Sequence, residues 1–437
     1  MVTTLSGMLR RIFDDSQRGE RENNNMGATT TNDQNEARIL TTNNILILLS
    51  NLKGERCVEE FCGTVIKANE FSADLPDFSG RTVYLAGDIS KVANFQVELK
   101  AAQSVLVIEG LSSNFEIENS DWQVVHQGRV PILLPGGGVL YRRFFDPDID
   151  YFNRICGEHE FQSLTESNKP GRAHRTGIYL TPVERQGEEL HFRLLRCSTN
   201  FSGPTETFRE NDSYIVDALN QEADIVFENH APMNHVLAQV YHNTPASEQK
   251  KQTKAKISAH ADKTKDMPTN GMMAFCTFYD QLNKLEPMAE DPFDYGFKKS
   301  SGLTRLVFRL KPPVAEDCEC TLPSQFSVTL YPGSVFFMPL STNRFYTHEI
   351  RASTLDAEKL PTRLGYVVRC SSTEAIHKDG ATFLKTNGEL KRLEPPTDEG
   401  MAELRKLYAQ ENKTADFIDY ANKFMFSMNE GDYLAPE

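Results

Sequence analysis

Between residues 235 and 370 the chain is cut into short apolar runs, and this constrains its fold more than any other feature. The runs are His235–His242, Ala255–Ala261, Met272–Tyr279, Thr304–Leu310, Phe326–Tyr331, Ser334–Met338, Arg344–Arg351 and Arg363–Cys370. Gly, Pro, Asp, Asn and Ser turn signals separate them. Each run is too short for a stable helix and long enough for a strand. Eight such strands fit a double-sheet jelly roll, that is, a double-stranded β-helix. The 27 Phe against one Trp agree with sheet packing. The expected fold is mostly β with flanking helices (α+β), its core spanning residues 131–390.

The flanks read differently. Residues 1–40 are polar and repetitive, with Asn-Asn-Asn and Thr-Thr-Thr runs, and predict a disordered tail. Residues 41–130 predict a β-rich accessory domain, with strands at 44–49, 82–85, 94–99, 104–108 and 122–125. The Pro-Gly-Gly-Gly stretch at 135–138 marks a boundary. A strand and then a helix follow in 139–152, with Asp146 or Asp148 as the helix N-cap. Residues 164–178 form a polar, basic loop, 191–196 a strand, and 212–227 an amphipathic helix. The long acidic connection 280–303 reads as an insertion or lid. In 391–437 two helices are expected, at 399–410 and 414–426, packed on the barrel exterior.

Composition narrows the function class. A net charge of −14 argues against coating nucleic acid by phosphate neutralisation, although a local basic groove stays compatible with it. The eight Cys offer two close pairs, Cys57/Cys62 and Cys318/Cys320, and neither has a second pair at zinc-finger spacing. They read as free thiols of a reducing compartment, with a metal role for Cys318 and Cys320 as the lesser alternative. No run approaches the ~18 apolar residues of a membrane span. Arg10 and Arg11 are not followed by the apolar stretch of a secretory signal. The expected location is intracellular, in cytoplasm or nucleus, with no membrane contact.

The chemistry centres on Lys256-Ile-Ser-Ala-His260-Ala-Asp262 and on Phe345-Tyr-Thr-His348. His-x-Asp closing an apolar run, with a later His, has the composition of a 2-His-1-carboxylate triad. Two neutral imidazoles and a carboxylate hold one face of Fe(II) and leave the other open.

Three longer blocks extend the pattern. Asn234-His-Val-Leu-Ala-Gln-Val-Tyr241, Tyr331-Pro-Gly-Ser-Val-Phe-Phe-Met-Pro-Leu-Ser-Thr-Asn-Arg-Phe-Tyr-Thr-His348 and Pro361-Thr-Arg363-Leu-Gly-Tyr-Val-Val-Arg369 accompany His260-Ala-Asp262-Lys263 in order. Together they resemble the AlkB-like Fe(II)/2-oxoglutarate dioxygenases over roughly Val139–Cys370. The resemblance implies iron ligands His260, Asp262 and His348. It implies a 2-oxoglutarate site with Tyr241 and Gln239, with Arg363 on the distal carboxylate and Arg369 at the metal-bound end. O2 would be the other co-substrate.

Simple physics supports the pattern. Only Arg offers a permanently charged fork for a buried carboxylate. Positions 363 and 369, 239 and 241, and 260 and 262 each differ by an even number, which puts both side chains of each pair on one strand face.

The resemblance further implies oxidative demethylation of a nucleic-acid base, DNA or RNA. Arg172, His174, Arg175 and Tyr179 would form a nucleotide-recognition lid, and the substrate would sit between it and 280–303. Lys250, Lys251, Lys254 and Lys256 could track a backbone. Two positions depart from the family. Gln239 stands where Asn is usual, and Thr264 stands where base-repairing members commonly carry an acid. A protein side chain as substrate is the alternative reading, which the acidic balance and Thr264 favour. A non-catalytic binding protein on the same fold is the third.

Overall fold

In the computed structural model, the run Asn44–Leu48 (β1) is buried at every position, as a strand inside a parallel sheet must be. Its neighbours are β2 (Thr64–Lys67), β3 (Thr82–Asp88), β4 (Ser104–Ser113) and β5 (Gln123–His126). The order is β2-β1-β3-β4-β5 and each pairing is parallel. The structure describes residues 35–67, 76–114, 122–165, 172–196, 201–316, 321–420 and 423–437. Most of the expected tail, part of the basic loop, and Cys318 and Cys320 therefore lie outside the described residues.

The strand expected at 94–99 is instead a pair of 3-10 turns, Ile89–Asn94 and Glu98–Ala101. Phe95 and Leu99 turn inward with Ile45, Val83 and Val105, whereas Val97 is 74% exposed. The opposite face of the sheet does not meet solvent. Leu46, Tyr84 and Ile108 pack in one cluster with Leu306, Phe308 and Phe336 of the main body. Residues at the end of the expected tail are docked too. Arg38–Ile39 pair with Phe227–Glu228, and Glu36 meets Arg344 at 2.9 Å.

The main body is built on a nine-stranded sheet. Its strands include β6 (Ile132–Leu134), β7 (Gly138–Tyr141), β8 (Arg172–Thr181) and β9 (His235–Tyr241). A second sheet contains β10 (Ile257–His260), and the large sheet continues with β11 (Met272–Asp280). Then come β12 (Arg305–Leu310) and β13 (Gln325–Thr329) of the second sheet, β14 (Ser334–Pro339) of the first, β15 (Tyr346–Arg351) of the second and β16 (Thr362–Arg369) of the first. The large sheet runs β8-β9-β16-β11-β14-β7-β6, and the second runs β10-β15-β12-β13.

Strand β16 shows how sequence sets the two faces. Leu364, Tyr366 and Val368 join a cluster with Ile215, Leu219 and Ala223. Those three sit at spacings of four on α2 (Glu210–Val226), one stripe of a helix. The odd positions of β16 face the other way. Arg363, Gly365, Val367 and Arg369 stand opposite Tyr241, Gln239, Leu237 and His235 of β9. The second sheet covers this inner face, with Phe308 and Phe336 rings 5.6 Å apart and Phe275 and His348 rings 5.9 Å apart.

Other expectations are corrected. Helix α1 (Tyr151–Glu158) is capped by Asp150, which accepts from Asn153 N at 3.0 Å, and not by Asp146 or Asp148. Asp146 accepts instead from Asp148 N, closing a turn before the helix. The 280–303 segment is no free lid. It forms a small antiparallel sheet, buries Leu285 and Phe293, and holds Phe293 4.1 Å beneath the Arg142 guanidinium.

At the C-terminal side, helix α3 (Asp398–Glu411) is present. No second helix is found among the described residues of 414–426. There the chain lays Tyr420, Phe424 and Phe426 against Leu404 and Tyr408. No described helix is long and apolar enough to cross a membrane.

Candidate metal and co-substrate site

His260 ends β10, directly across from His348 on β15, after a register slip between Ile257 and His260. Such an irregularity re-aims the side chain that follows it. One ligand atom each from His260, Asp262 and His348 lies within 4.8 Å of the others. His260 Nε2 is 3.4 Å and His348 Nε2 3.9 Å from Asp262 Oδ1, and the two rings are 4.5 Å apart. Adjacent ligands on an octahedral ion at about 2.1 Å would stand about 3 Å apart. The three groups therefore need only small movements to share one ion.

Protonation favours the same use. His260 Nδ1 lies 2.8 Å from the Ser258 carbonyl, an acceptor that fixes the proton on Nδ1 and leaves Nε2 as a lone-pair donor. Burial pushes His348 down to about 3, so its ring is neutral. Burial would raise the Asp262 carboxyl, but the Arg369 guanidinium outweighs it and holds the group well below the usual carboxylate range. Arg369 Nη2 donates to Asp262 Oδ2 at 2.8 Å. Asn343, 1% exposed, fixes the Asp262 backbone by accepting from its N and donating to its O, both at 2.9 Å.

Along the same face lies a cationic pocket. The Arg363 guanidinium sits 3.9 Å over the Tyr241 ring. Its Nε and Nη2 are buried and have no hydrogen-bond partner among the described residues. An unpaired buried guanidinium is costly, so these donors call for an anion. Gly365 makes room for the guanidinium, because a Cβ there would lie 2.7 Å from Arg363 Nη1. Tyr241 Oη donates to Gln239 Oε1 at 3.0 Å, which places Gln239 and Tyr241 side by side. A small open cleft borders Arg363 and Tyr241, and Asn243, Thr304, Ile350 and Leu360 also line it. Ile350 is two residues beyond His348 on β15, on the same strand face.

The other expected residues are placed less centrally. Arg175 is half-buried, across from Tyr241 on the inner face. Tyr179 is on that face too, but it is buried, with its ring 5.0 Å from Phe201 and 5.4 Å from His235. That position does not offer a ring for stacking at an open rim. Arg172 lies in β8, and its side chain, like that of His174, is outside the described residues. Thr264 gives both its N and its Oγ1 to Glu411 Oε1, at 3.0 and 2.5 Å. Lys254 Nζ is bonded to the carbonyls of Ser353 and Leu355, so it braces a loop.

Sequence reasoning missed Asn343, Glu411 and Asn412. Asn343 could have been noticed as an amide within an apolar block. Nothing local marks the other two.

No family model matches the sequence, and no curated protein matches it. Solved structures with some likeness include OsALKBH1, at 14% identity and TM-score 0.32, covering 55% of this chain and 98% of that one. They also include EvdO2 from Micromonospora carbonacea var. aurantiaca complexed with 2-oxoglutarate, at 9% identity and TM-score 0.24, covering 54% of this chain and 86% of that one. A third is SnoN, a non-heme alpha-ketoglutarate-dependent epimerase of nogalamycin biosynthesis, at 12% identity and TM-score 0.19, covering 33% of this chain and 49% of that one. At these scores the likenesses assign no chemistry to this chain.

Proposed function

We propose that this chain is an Fe(II)- and 2-oxoglutarate-dependent oxygenase of the AlkB-like kind, its two facing sheets forming a double-stranded β-helix over residues 131–390. One observation carries the reading. A convergent His260, Asp262, His348 set and a buried Arg363 with unpaired donors lie between the same two sheets.

The donor set fits a divalent first-row metal, because it offers two imidazoles and one ionised carboxylate. Arg363 fits the distal carboxylate of a dicarboxylic keto acid. When bound, iron and 2-oxoglutarate supply activation of O2, with 2-oxoglutarate converted to succinate and CO2 and one oxygen atom passed to a substrate C–H bond. The chain's own work is placement. Arg369 holds Asp262 ionised and oriented. Ser258 fixes the His260 tautomer. Tyr241 and Gln239 wall the co-substrate channel, and the Phe275 and Phe308 rings beside His348 exclude water.

We place an N-alkylated nucleic-acid base first as substrate. Arg175 supports it, as a cation on the face that carries Tyr241 and Arg363. A protein side chain stands second, favoured by the net charge of −14 and by the commitment of Thr264 to Glu411. Residues 41–130 would be an accessory region joined to the oxygenase core, and an intracellular location suits Fe(II).

The test is succinate release from 2-oxoglutarate with Fe(II) and O2, with methylated DNA, RNA and peptides added in turn. Turnover that vanishes in Asp262→Ala supports the oxygenase, and the substrate that accelerates it names the class. Folded, metal-loaded protein that is inert toward every substrate refutes the reading.

A further inference from the structure

The loop that carries the carboxylate ligand has little scaffold of its own. Strand β10 exposes Ser258 and Ala259, and its pairing slips just before His260. Residues 261–264 must nevertheless keep Asp262 between two imidazoles. On one side Asn343 holds the Asp262 backbone. On the other, the work is done by the end of α3, about 150 residues further along the chain.

There, Asn412 Oδ1 accepts from Ala261 N at 2.7 Å. Glu411 Oε1 accepts from Thr264 N at 3.0 Å and from Thr264 Oγ1 at 2.5 Å. Lys263 Nζ donates to the Tyr408 carbonyl at 3.1 Å. Glu411 is 6% exposed, and its second oxygen accepts from Tyr420 Oη at 2.8 Å. The clamp is itself tied down, because Lys311 Nζ donates to the carbonyls of Glu411 at 2.7 Å and Thr414 at 3.0 Å. A helix that merely covered the barrel would meet it with apolar side chains. Here two consecutive polar side chains take the backbone N–H groups on both sides of Asp262.

We propose that Glu411 and Asn412 are positioning residues for the metal, and that the C-terminal segment is a clamp setting the geometry of the 260–264 loop. This rests on the metal site proposed above and adds its regulation from outside the barrel. Partners that orient a ligand without touching the ion change metal affinity by about 10–100-fold when removed.

The experiment is Mn(II) titration of the full chain by calorimetry, without 2-oxoglutarate, on wild type, Asn412→Ala, Glu411→Ala and Glu411→Gln. Metal-free thermal melts run alongside. Expected is a 10- to 100-fold weaker Mn(II) affinity in both alanine variants, with Glu411→Gln, which keeps an acceptor oxygen, within about threefold of wild type. Alanine variants that melt cooperatively and bind Mn(II) as wild type does overturn the proposal. Should Glu411→Ala fail to fold, Asn412→Ala at its half-exposed position decides alone. A wild type that binds no Mn(II), or binding that survives Asp262→Ala, overturns instead the metal site on which the clamp rests.

Discussion

Asp262, on the loop that follows β10, and Arg369, in β16 of the large sheet, meet in a buried ion pair of 2.8 Å, with side chains 12% and 6% exposed. The pair ties the ligand loop to the large sheet. Breaking a buried pair leaves one charge unpaired and costs roughly 3–5 kcal/mol. Arg369→Ala is expected to lose stability on that scale in urea unfolding, with the midpoint falling and the slope unchanged. Arg369→Lys restores only part, because a single ammonium cannot reproduce the guanidinium fork. A loss below about 0.5 kcal/mol would show that the pair is solvated in solution.

Arg363 should govern co-substrate affinity without governing the fold. Its buried Nε and Nη2 make no hydrogen bond among the described residues, so few folded-state contacts are lost with it. A charged hydrogen bond is worth about 1.5–3 kcal/mol, so Arg363→Ala should weaken 2-oxoglutarate binding by at least tenfold. Calorimetric titration under nitrogen checks this. Unchanged affinity would place the dicarboxylate elsewhere.

Gly365→Ala should weaken the same binding through the neighbouring side chain. The new methyl would lie 2.7 Å from Arg363 Nη1 and 3.1 Å from Tyr241 Cε2. The guanidinium must then shift off the tyrosine ring. A several-fold rise in the 2-oxoglutarate dissociation constant, with metal affinity preserved, is the expected result. Equal losses of both would instead point to general loosening of β16.

The sequence made some of this visible and hid the rest for physical reasons. Strand period two is local information, so the shared face of Arg363 and Arg369, and of Gln239 and Tyr241, could be read from spacing alone. Four of the N-terminal strands were visible too, Thr64–Lys67 was not, and neither was their parallel pairing, because an apolar run does not record strand direction. The 94–99 stretch misled because Phe95, Val97 and Leu99 alternate as in a strand. The fold instead uses their spacing of four, burying Phe95 and Leu99 and leaving Val97 out. Asn343 and Glu411 act on the ligand loop across 81 and 147 residues of sequence. No periodic signal spans such distances.

Two buried histidines should give the fold opposite pH dependences. Burial, seconded by the Arg369 charge, pushes His235 down to about 3. Between pH 6.5 and about 3 the unfolded chain then binds a proton that the folded chain refuses, so stability falls as pH drops through that window. Burial alone would lower His159 as well, but its hydrogen bonds to Asp212 at 2.7 Å and Glu206 at 2.8 Å outweigh it and raise the group above its ordinary 6.5. The folded chain therefore keeps a proton that the unfolded chain loses above pH 6.5, and stability declines as pH climbs from there toward the raised value. Denaturant midpoints measured across pH separate the two. His235→Phe should flatten the acid limb and leave the alkaline limb alone. His159→Gln should flatten the alkaline limb and lower stability most below pH 6.5, where the imidazolium neutralises both carboxylates. An alkaline limb unchanged by His159→Gln would mean that His159 is neutral in the folded chain.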